Sequence, residues 1–175
     1  MDCRPFFFKK FGMFHHRSTM RIGTDAVLFA QWVPIFESDY VLDVGTGSGI
    51  IPMILSQKNA NSVDAVELDA DSYEEAKLNF SISVWSDKLN VFNKDVRIFA
   101  DEVNKKYDLI LLDHMMPEMD GIHTLYNLKK RARGFETPVV VLTANVIDGS
   151  REMYLREGFC DYLSKPINQV ELDRI

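Results

Sequence analysis

The sequence predicts an α/β fold in which one parallel β-sheet lies between two layers of helices, a three-layer α/β/α sandwich. Three observations predict it. Short apolar runs alternate with helical patterns along most of the 175 residues. Several of those runs are uninterrupted Val, Ile and Leu, as in strands covered on both faces. No internal repeat and no low-complexity linker breaks the alternation. A single unit spanning residues 1–175 is therefore expected.

The elements follow in order. The opening stretch alternates aromatic and basic residues to about Ile22, the pattern of short strands or a hairpin. Gly23-Thr24-Asp25 then opens a helix, with Thr24 as its cap, and Pro34 stops it. Tyr40 to Val44 is the first strand of the alternation. The tight turn Gly45-Thr46-Gly47-Ser48-Gly49 leads into a helix from Ile50 to Lys58, with Pro52 in the first turn, where its ring is tolerated. Val63 to Glu67 is the second strand. Asp69 and Asp71 precede the helix carrying Ala76, Leu78 and Phe80, where acids suit the positive helix start. Leu89 to Phe92 is the third strand, and a helix runs from Val96 to Asn104. Tyr107 to Leu112 is the fourth strand, its run of Leu109, Ile110, Leu111 and Leu112 reading as buried on both faces. A Met-rich loop ends at Asp120-Gly121, and a helix follows to about Arg133. Pro138 to Leu142 is the fifth strand, and the next helix closes at Gly158. Asp161 to Leu163 is the sixth strand. Lys165-Pro166 breaks the chain before a final helix near Asn168.

Composition excludes several classes. The net charge of −6 argues against a protein wrapped along nucleic acid, because phosphate binding needs clustered positive charge. The one basic run, Lys129-Lys130-Arg131 with Arg133, reads as a solvated helix end. No apolar stretch approaches the roughly 20 residues of a membrane helix, and Lys9 and Lys10 interrupt the greasy start, which makes a poor signal peptide. Cys3 and Cys160 form neither a disulfide framework nor a zinc pattern, so a reducing cytoplasmic setting is expected. His15, His16, His114 and His123 lack ligand spacing on one element, so no metal site is expected from them. Met115, Met116 and Met119 read as loop packing. Trp32 and the early phenylalanines read as core.

In open parallel sheets ligands sit at the carboxyl ends of the strands. The glycine turn, Glu67 and Asp113 all map there. Glycines at Gly45, Gly47 and Gly49 let the backbone turn tightly and let a ligand approach the peptide groups. The helix start behind them adds positive character. A carboxylate at Glu67, ending the next strand, can accept both hydroxyls of a ribose. Asp95, just past the third strand, can meet an adenine edge or amino group. The bland readings are a ligand-free turn, a solvated strand end and a helix cap, respectively.

At this point the residues resemble a family. Val41-Leu42-Asp43-Val44-Gly45-Thr46-Gly47-Ser48-Gly49 is similar to the cofactor loop of class I S-adenosylmethionine-dependent methyltransferases. Phe8-Lys9-Lys10, His15-His16-Arg17 and the run from Met20 to Leu28 resemble the bacterial enzymes that methylate adenine N6 in a valine tRNA. The resemblance covers roughly residues 5–110. It implies that Gly45, Gly47 and the helix start face the methionine part, that Glu67 holds the ribose and Asp95 the adenine. Thr24 and Asp25 would close the pocket from below. Asp43, Gly49 and Leu68 belong to the same implied cofactor-binding set. That family carries an Asn-Pro-Pro-aromatic motif after its fourth strand, which holds and stacks the target base. Here Asp113-His114-Met115-Met116 stands in its place, and no Asn-Pro-Pro occurs anywhere. S-adenosylmethionine binding is expected to survive; methyl transfer and tRNA binding are expected to be lost.

From Tyr107 onward the text changes. The run Asp108 to Gly121 resembles the phosphoacceptor strand and loop of response-regulator receiver domains. Thr137 to Asn145 is similar to their next strand, and Gly158-Phe159, Asp161-Tyr162-Leu163 and Ser164-Lys165-Pro166 to their last. The resemblance implies Asp113 as phosphoacceptor, Thr143 as hydrogen-bond partner of the phosphoryl group, Lys165 as its counter-charge and a cis bond before Pro166. Receivers also hold magnesium on an acidic pair at the end of their first strand, because a hard dication prefers oxygen ligands and phosphoryl transfer needs its charge. The glycine loop replaces that pair, and Asp43 is the only nearby acid, so a competent magnesium site is not expected.

Both families are parallel sheets of the Rossmann or flavodoxin-like type. In each, the strand equivalent to Tyr107 to Leu112 lies beside the first strand. The hybrid is therefore expected to join residues 1–106 to residues 107–175 in one sheet of order 3-2-1-4-5-6. Natural fusions join whole domains rather than half of each, so the sequence reads as an engineered chimera. The leading functional reading is a monomeric scaffold that keeps small-molecule cofactor binding without catalysis. The alternatives are a phosphorylation switch through Asp113 and an active adenine-N6 methyltransferase.

Overall fold

The structure, a computed structural model, describes residues 4–113, 121–131, 135–143 and 150–167. A two-stranded antiparallel hairpin, β1 (Phe6–Phe7) and β2 (Gly12–Met13), precedes α1 (Thr24–Trp32). The alternation then runs β3 (Tyr40–Val44), α2 (Ile50–Gln57), β4 (Ser62–Glu67), α3 (Ala70–Ser81), β5 (Leu89–Asn93) and α4 (Val96–Glu102). It continues as β6 (Leu109–Asp113), α5 (Gly121–Arg131), β7 (Val139–Thr143), α6 (Ser150–Glu157) and β8 (Asp161–Ser164). The six long-alternation strands form one parallel sheet of order β5-β4-β3-β6-β7-β8. With β3 counted as the first strand, this is the expected 3-2-1-4-5-6. The final helix expected near Asn168 lies outside the described residues, as do the loop methionines.

The strand pattern explains the two layers. Side chains alternate across a strand, and on β6 Leu109 and Leu111 enter one core while Ile110 and Leu112 enter the other. Val140 and Leu142 of β7 follow the first pair, Val139 and Val141 the second. The first core is closed by α1, α2 and α3 through Phe29, Met53, Leu55 and Phe80. The second is closed by α4, α5 and α6 through Phe99, Leu125 and Tyr154. Both cores mix residues from before and after Tyr107.

Local chemistry departs from expectation at several points. Gly23, not Thr24, occupies the cap of α1, with no side-chain cap bond, because the helix begins one residue earlier than a Thr24 cap requires. The carboxyl end of α1 is held from a distance: Lys58 Nζ donates to Ala30 O at 3.0 Å and Gln31 O at 2.7 Å, and also to Val33 O. Phe6 and Phe7 are not core. They are 48% and 72% exposed, because their hairpin stands outside the main sheet and no layer of the described residues covers it. Phe8 and Phe11, by contrast, pack on the first core, as does Trp32. Lys165–Pro166 is cis, as expected.

Leu163, on β8, is 2% exposed and packs in the first core beside residues of α1 and α2. Leu163→Ala should cost about 2–5 kcal/mol, the range for a deleted core leucine. Both tryptophans, Trp32 and Trp85, precede residue 107. Tryptophan fluorescence and circular dichroism in urea should therefore show the same lowered midpoint. A tryptophan transition left where the wild type has it would mean that the two segments unfold separately.

Candidate functional site

At the carboxyl edge of the sheet lies a cavity of about 630 Å³. Its floor is the turn after β3, where Gly45, Gly47 and Gly49 take φ values of 81°, 56° and 87°. These left-handed angles suit glycine and strain other residues. Their roles differ. A Cβ on Gly47 would meet nothing within 4 Å, and the residue lines the cavity. A Cβ on Gly49 would stand 2.5 Å from Phe80 Cε1. Gly49 caps α2 and lies outside the lining; its smallness serves the contact with α3.

Glu67, at the end of β4, reaches this floor. Its Oε2 accepts from Gly47 N at 2.8 Å and its Oε1 from Asp69 N at 2.9 Å. A carboxylate offers about four acceptor positions, so both oxygens retain capacity toward the cavity. Leu68 supplies apolar wall beside it. Asp95 lines the far end and also caps α4, its Oδ1 accepting from Arg97 N at 2.7 Å. The cap and the binding readings of Asp95 are thus compatible.

Asp43 lies beneath the floor, 2% exposed and off the lining. Burial pushes its carboxyl up to about 7; the Thr46 hydroxyl lowers it in part, and the charges of Asp113 and Glu67 add to the rise. Even so, neither Asp43 Oδ2 nor Thr46 Oγ1 meets hydrogen-bond geometry with a partner. Thr46 itself borders the cavity. Its hydroxyl, beside Asp43 but outside good hydrogen-bond geometry, is a group that a bound ligand can satisfy.

The opposite wall comes from the later strands. Asp113, Leu142 and Lys165 line the same cavity, and Lys165 Nζ lies 3.0 Å from Asp113 Oδ2. Thr143 is not brought to the wall: its side chain is fully buried, and its hydroxyl is 2.9 Å from the Tyr154 hydroxyl. Thr24 is likewise off the lining, whereas Asp25 is on it. Among the described residues no group of three or more His, Cys, Asp or Glu is arranged for a metal ion. No helix among them is long and apolar enough to cross a membrane.

Two residues that hold the site were not legible as site residues. Glu75 on α3 is 2% exposed. It accepts from His16 N at 2.6 Å, Arg17 N at 3.0 Å, Ser18 N at 2.9 Å and Ser18 Oγ at 2.7 Å. Burial opposes its ionisation, but the Ser18 hydroxyl and the backbone donors outweigh burial and hold it below the usual carboxylate range. Asn79, one turn on, bonds Phe14 N and O at 2.7 and 2.9 Å and Ser48 O at 2.8 Å. Together they lay residues 14–18 over α3, so that Thr19 to Ile22 wall the cavity. The one available signal was their helical spacing with Ala76 and Phe80, which puts polar side chains on a buried face.

A parallel sheet with a glycine loop, a strand-end acid and a cavity at its carboxyl edge defines a Rossmann-like α/β protein. The chain belongs to two families at once: residues 23–119 match the Ribosomal protein L11 methyltransferase (PrmA) family, and residues 88–175 match the response regulator receiver domain. The two matches share residues 88–119, which include β6. The tRNA1(Val) (adenine(37)-N6)-methyltransferase of Flavobacterium johnsoniae is 41% identical over 108 residues, 61% of this chain and 46% of that protein. The protein of the same name from Cronobacter sakazakii is 37% identical over 108 residues, 61% of this chain and 44% of that one. The chain thus spans less than half the length of these relatives. Among solved structures, the SAM dependent methyltransferase from Agrobacterium tumefaciens superposes with a TM-score of 0.68 at 12% identity, over 90% of this chain and 58% of that one. The C-terminal domain of precorrin-6Y C5,15-methyltransferase from Rhodobacter capsulatus gives 0.59 at 14% identity, over 73% and 65%. At such identities the likeness is one of fold.

Asp43 carries a consequence for stability. Its unfolded carboxyl titrates near 3.9, well below the folded value of about 7. Between these values the folded state binds more protons, so the protonated form's stability is present at low pH and lost as pH rises toward 7. Asp43→Asn should flatten that slope. At pH 8 it should gain up to about 4 kcal/mol; at pH 3, below both values, it should gain nothing. Urea midpoints at the two pH values read both.

Proposed function

We propose that the chain is an engineered hybrid, one domain over residues 1–175, whose cavity holds S-adenosylmethionine or its demethylated product without transferring a methyl group. The observation that carries this reading is the meeting of the glycine loop, Glu67 and Asp95 around one cavity of about 630 Å³. That volume falls within the roughly 300–1,000 Å³ of small-molecule sites. Glu67 would take the ribose hydroxyls, Asp95 the adenine edge, and Gly45, Gly47 and Thr46 the polar part beyond. Bound S-adenosylmethionine supplies an electrophilic methyl group. The chain's own contribution to transfer is missing: Asp113 is followed by His114-Met115-Met116, with no Asn-Pro-Pro and no stacking ring beside it. A monomer that no longer engages tRNA fits the same reading. Titration calorimetry with S-adenosylmethionine should give saturable heat, abolished in Glu67→Ala. Because Glu67 also braces Gly47 N and Asp69 N, the variant's melt is measured alongside. Absent heat from a folded wild-type protein would refute the reading.

A second reading is favoured by one observation, the Asp113–Lys165 pair at 3.0 Å. It makes Asp113 a phosphoacceptor. Against it stands the metal requirement. Asp43 is the nearest candidate ligand, and burial keeps its carboxyl near 7, so at neutral pH it is a poor anionic ligand for magnesium. Acetyl phosphate with magnesium is expected to leave the intact mass unchanged. An added phosphoryl group lost in Asp113→Asn would establish the switch instead.

A further inference from the structure

We propose that the Asp113–Lys165 ion pair binds the zwitterionic amino-acid end of the cavity's ligand, Lys165 taking the α-carboxylate and Asp113 the α-ammonium. This rests on the reading that the cavity takes an adenosyl amino acid, and it adds Lys165, a binding residue outside the methyltransferase family match at residues 23–119.

The placement follows from register. Asp113 pairs with Leu142, and Thr143 with Ser164. Lys165 therefore leaves the sheet two strands away from β6, roughly 10 Å at the usual strand spacing. Its Nζ is nonetheless 3.0 Å from Asp113 Oδ2. The lysine stem thus runs back over the end of β7, toward the sheet centre and the glycine loop. On β3, Val44 pairs with Leu112, so Gly45 and Asp113 follow at the same level on adjacent strands. The ion pair stands one strand beyond the glycine floor, and Glu67 on β4 stands one strand to the other side.

The lysine is held from two directions. Its backbone N–H donates to Thr143 O at 2.6 Å. Two residues on, Ile167 N donates to Asp25 Oδ1 at 3.0 Å. Asp25 lies on α1, so the methyltransferase-like segment itself fixes the turn that carries Lys165. Both members of the pair are partly shielded, at 18% and 21% side-chain exposure, and both face the cavity. An ammonium has three donors and a carboxylate about four acceptor positions. The bond between them uses one donor of Lys165 and one acceptor position of Asp113, so neither group is saturated by the other. Elsewhere on the wall the cations Lys94 and Arg97 are engaged with Glu102 and Asp95, and Arg21 belongs to the N-terminal stretch rather than to the strand ends beside the glycine loop. A paired anion and cation side by side match a free α-amino acid, which presents the opposite charges side by side.

The test compares two adenosyl thioethers by calorimetry: S-adenosylhomocysteine, which has the amino-acid end, and 5′-methylthioadenosine, which lacks it. The wild type should bind the first at least tenfold more tightly. Lys165→Met, which keeps the stem and removes the charge, should erase that preference and leave methylthioadenosine binding within twofold. Asp113→Asn should reduce the preference in the same way, and thermal melts verify that both variants fold. Equal losses for both ligands, or an unchanged preference, overturns the proposal alone. No heat from either ligand with wild type overturns the cofactor reading and this proposal together.

Discussion

Everything else in the molecule hangs on the parallel pairing of β3 with β6. Val41, Leu42, Asp43 and Val44 stand against Leu109, Ile110, Leu111 and Leu112. The ladder starts with a local lock: Asp108 N donates to Tyr40 O at 2.8 Å, and Tyr40 N donates to the Asp108 carboxylate at 2.9 Å. A slip of one residue would send every side chain of β6 to the wrong face. Leu111 would leave the core that contains Met53 and Leu55, and Leu112 the core that contains Phe99 and Tyr154. The family matches overlap on this same strand, which is why it satisfies both sets of neighbours.

A second lock secures the join from below. Asp64, 5% exposed on β4, accepts from the Tyr107 hydroxyl at 2.8 Å, Lys105 Nζ at 2.8 Å and Asn90 Nδ2 at 2.9 Å. Burial and the donation to Asp64 both push the Tyr107 phenol above its ordinary pKa. A buried carboxylate is costly unless its acceptor positions are filled, and three donors fill them here. Tyr107, within the residues that both family matches share, is thereby committed to a partner on β4.

The cavity is the functional consequence of that pairing. Placing β6 beside β3 brings an Asp–Lys pair of receiver type to the rim of a glycine loop of methyltransferase type. Glu75 and Asn79 then draw the N-terminal stretch across the opening, and Asp25 ties the turn after β8 to α1. Residues from both family matches thus become opposite walls of one cavity. The surrounding charges matter because Asp43 is buried beneath the floor: burial first, then the charges of Asp113 and Glu67, raise its carboxyl to about 7.

The strand and helix order, the sheet type and the candidate positions Gly47, Glu67, Asp95 and Asp113 were all legible in the chain itself. Periodicity, turn chemistry and strand-end placement are local properties, and neighbouring residues suffice to express them. The exposure of Phe6 and Phe7, the capping of α1 by Lys58 and the bracing of Ser18 by Glu75 were not legible. Neither was the burial of Thr143 against Tyr154, nor the sharing of one cavity by Lys165 and the glycine loop. These depend on which distant surfaces come together: Glu75 and Ser18 are 57 positions apart, and Asp25 and Ile167 are 142. Local pattern decides what each segment becomes, while the closing of the sheet decides which side chains lose water and meet.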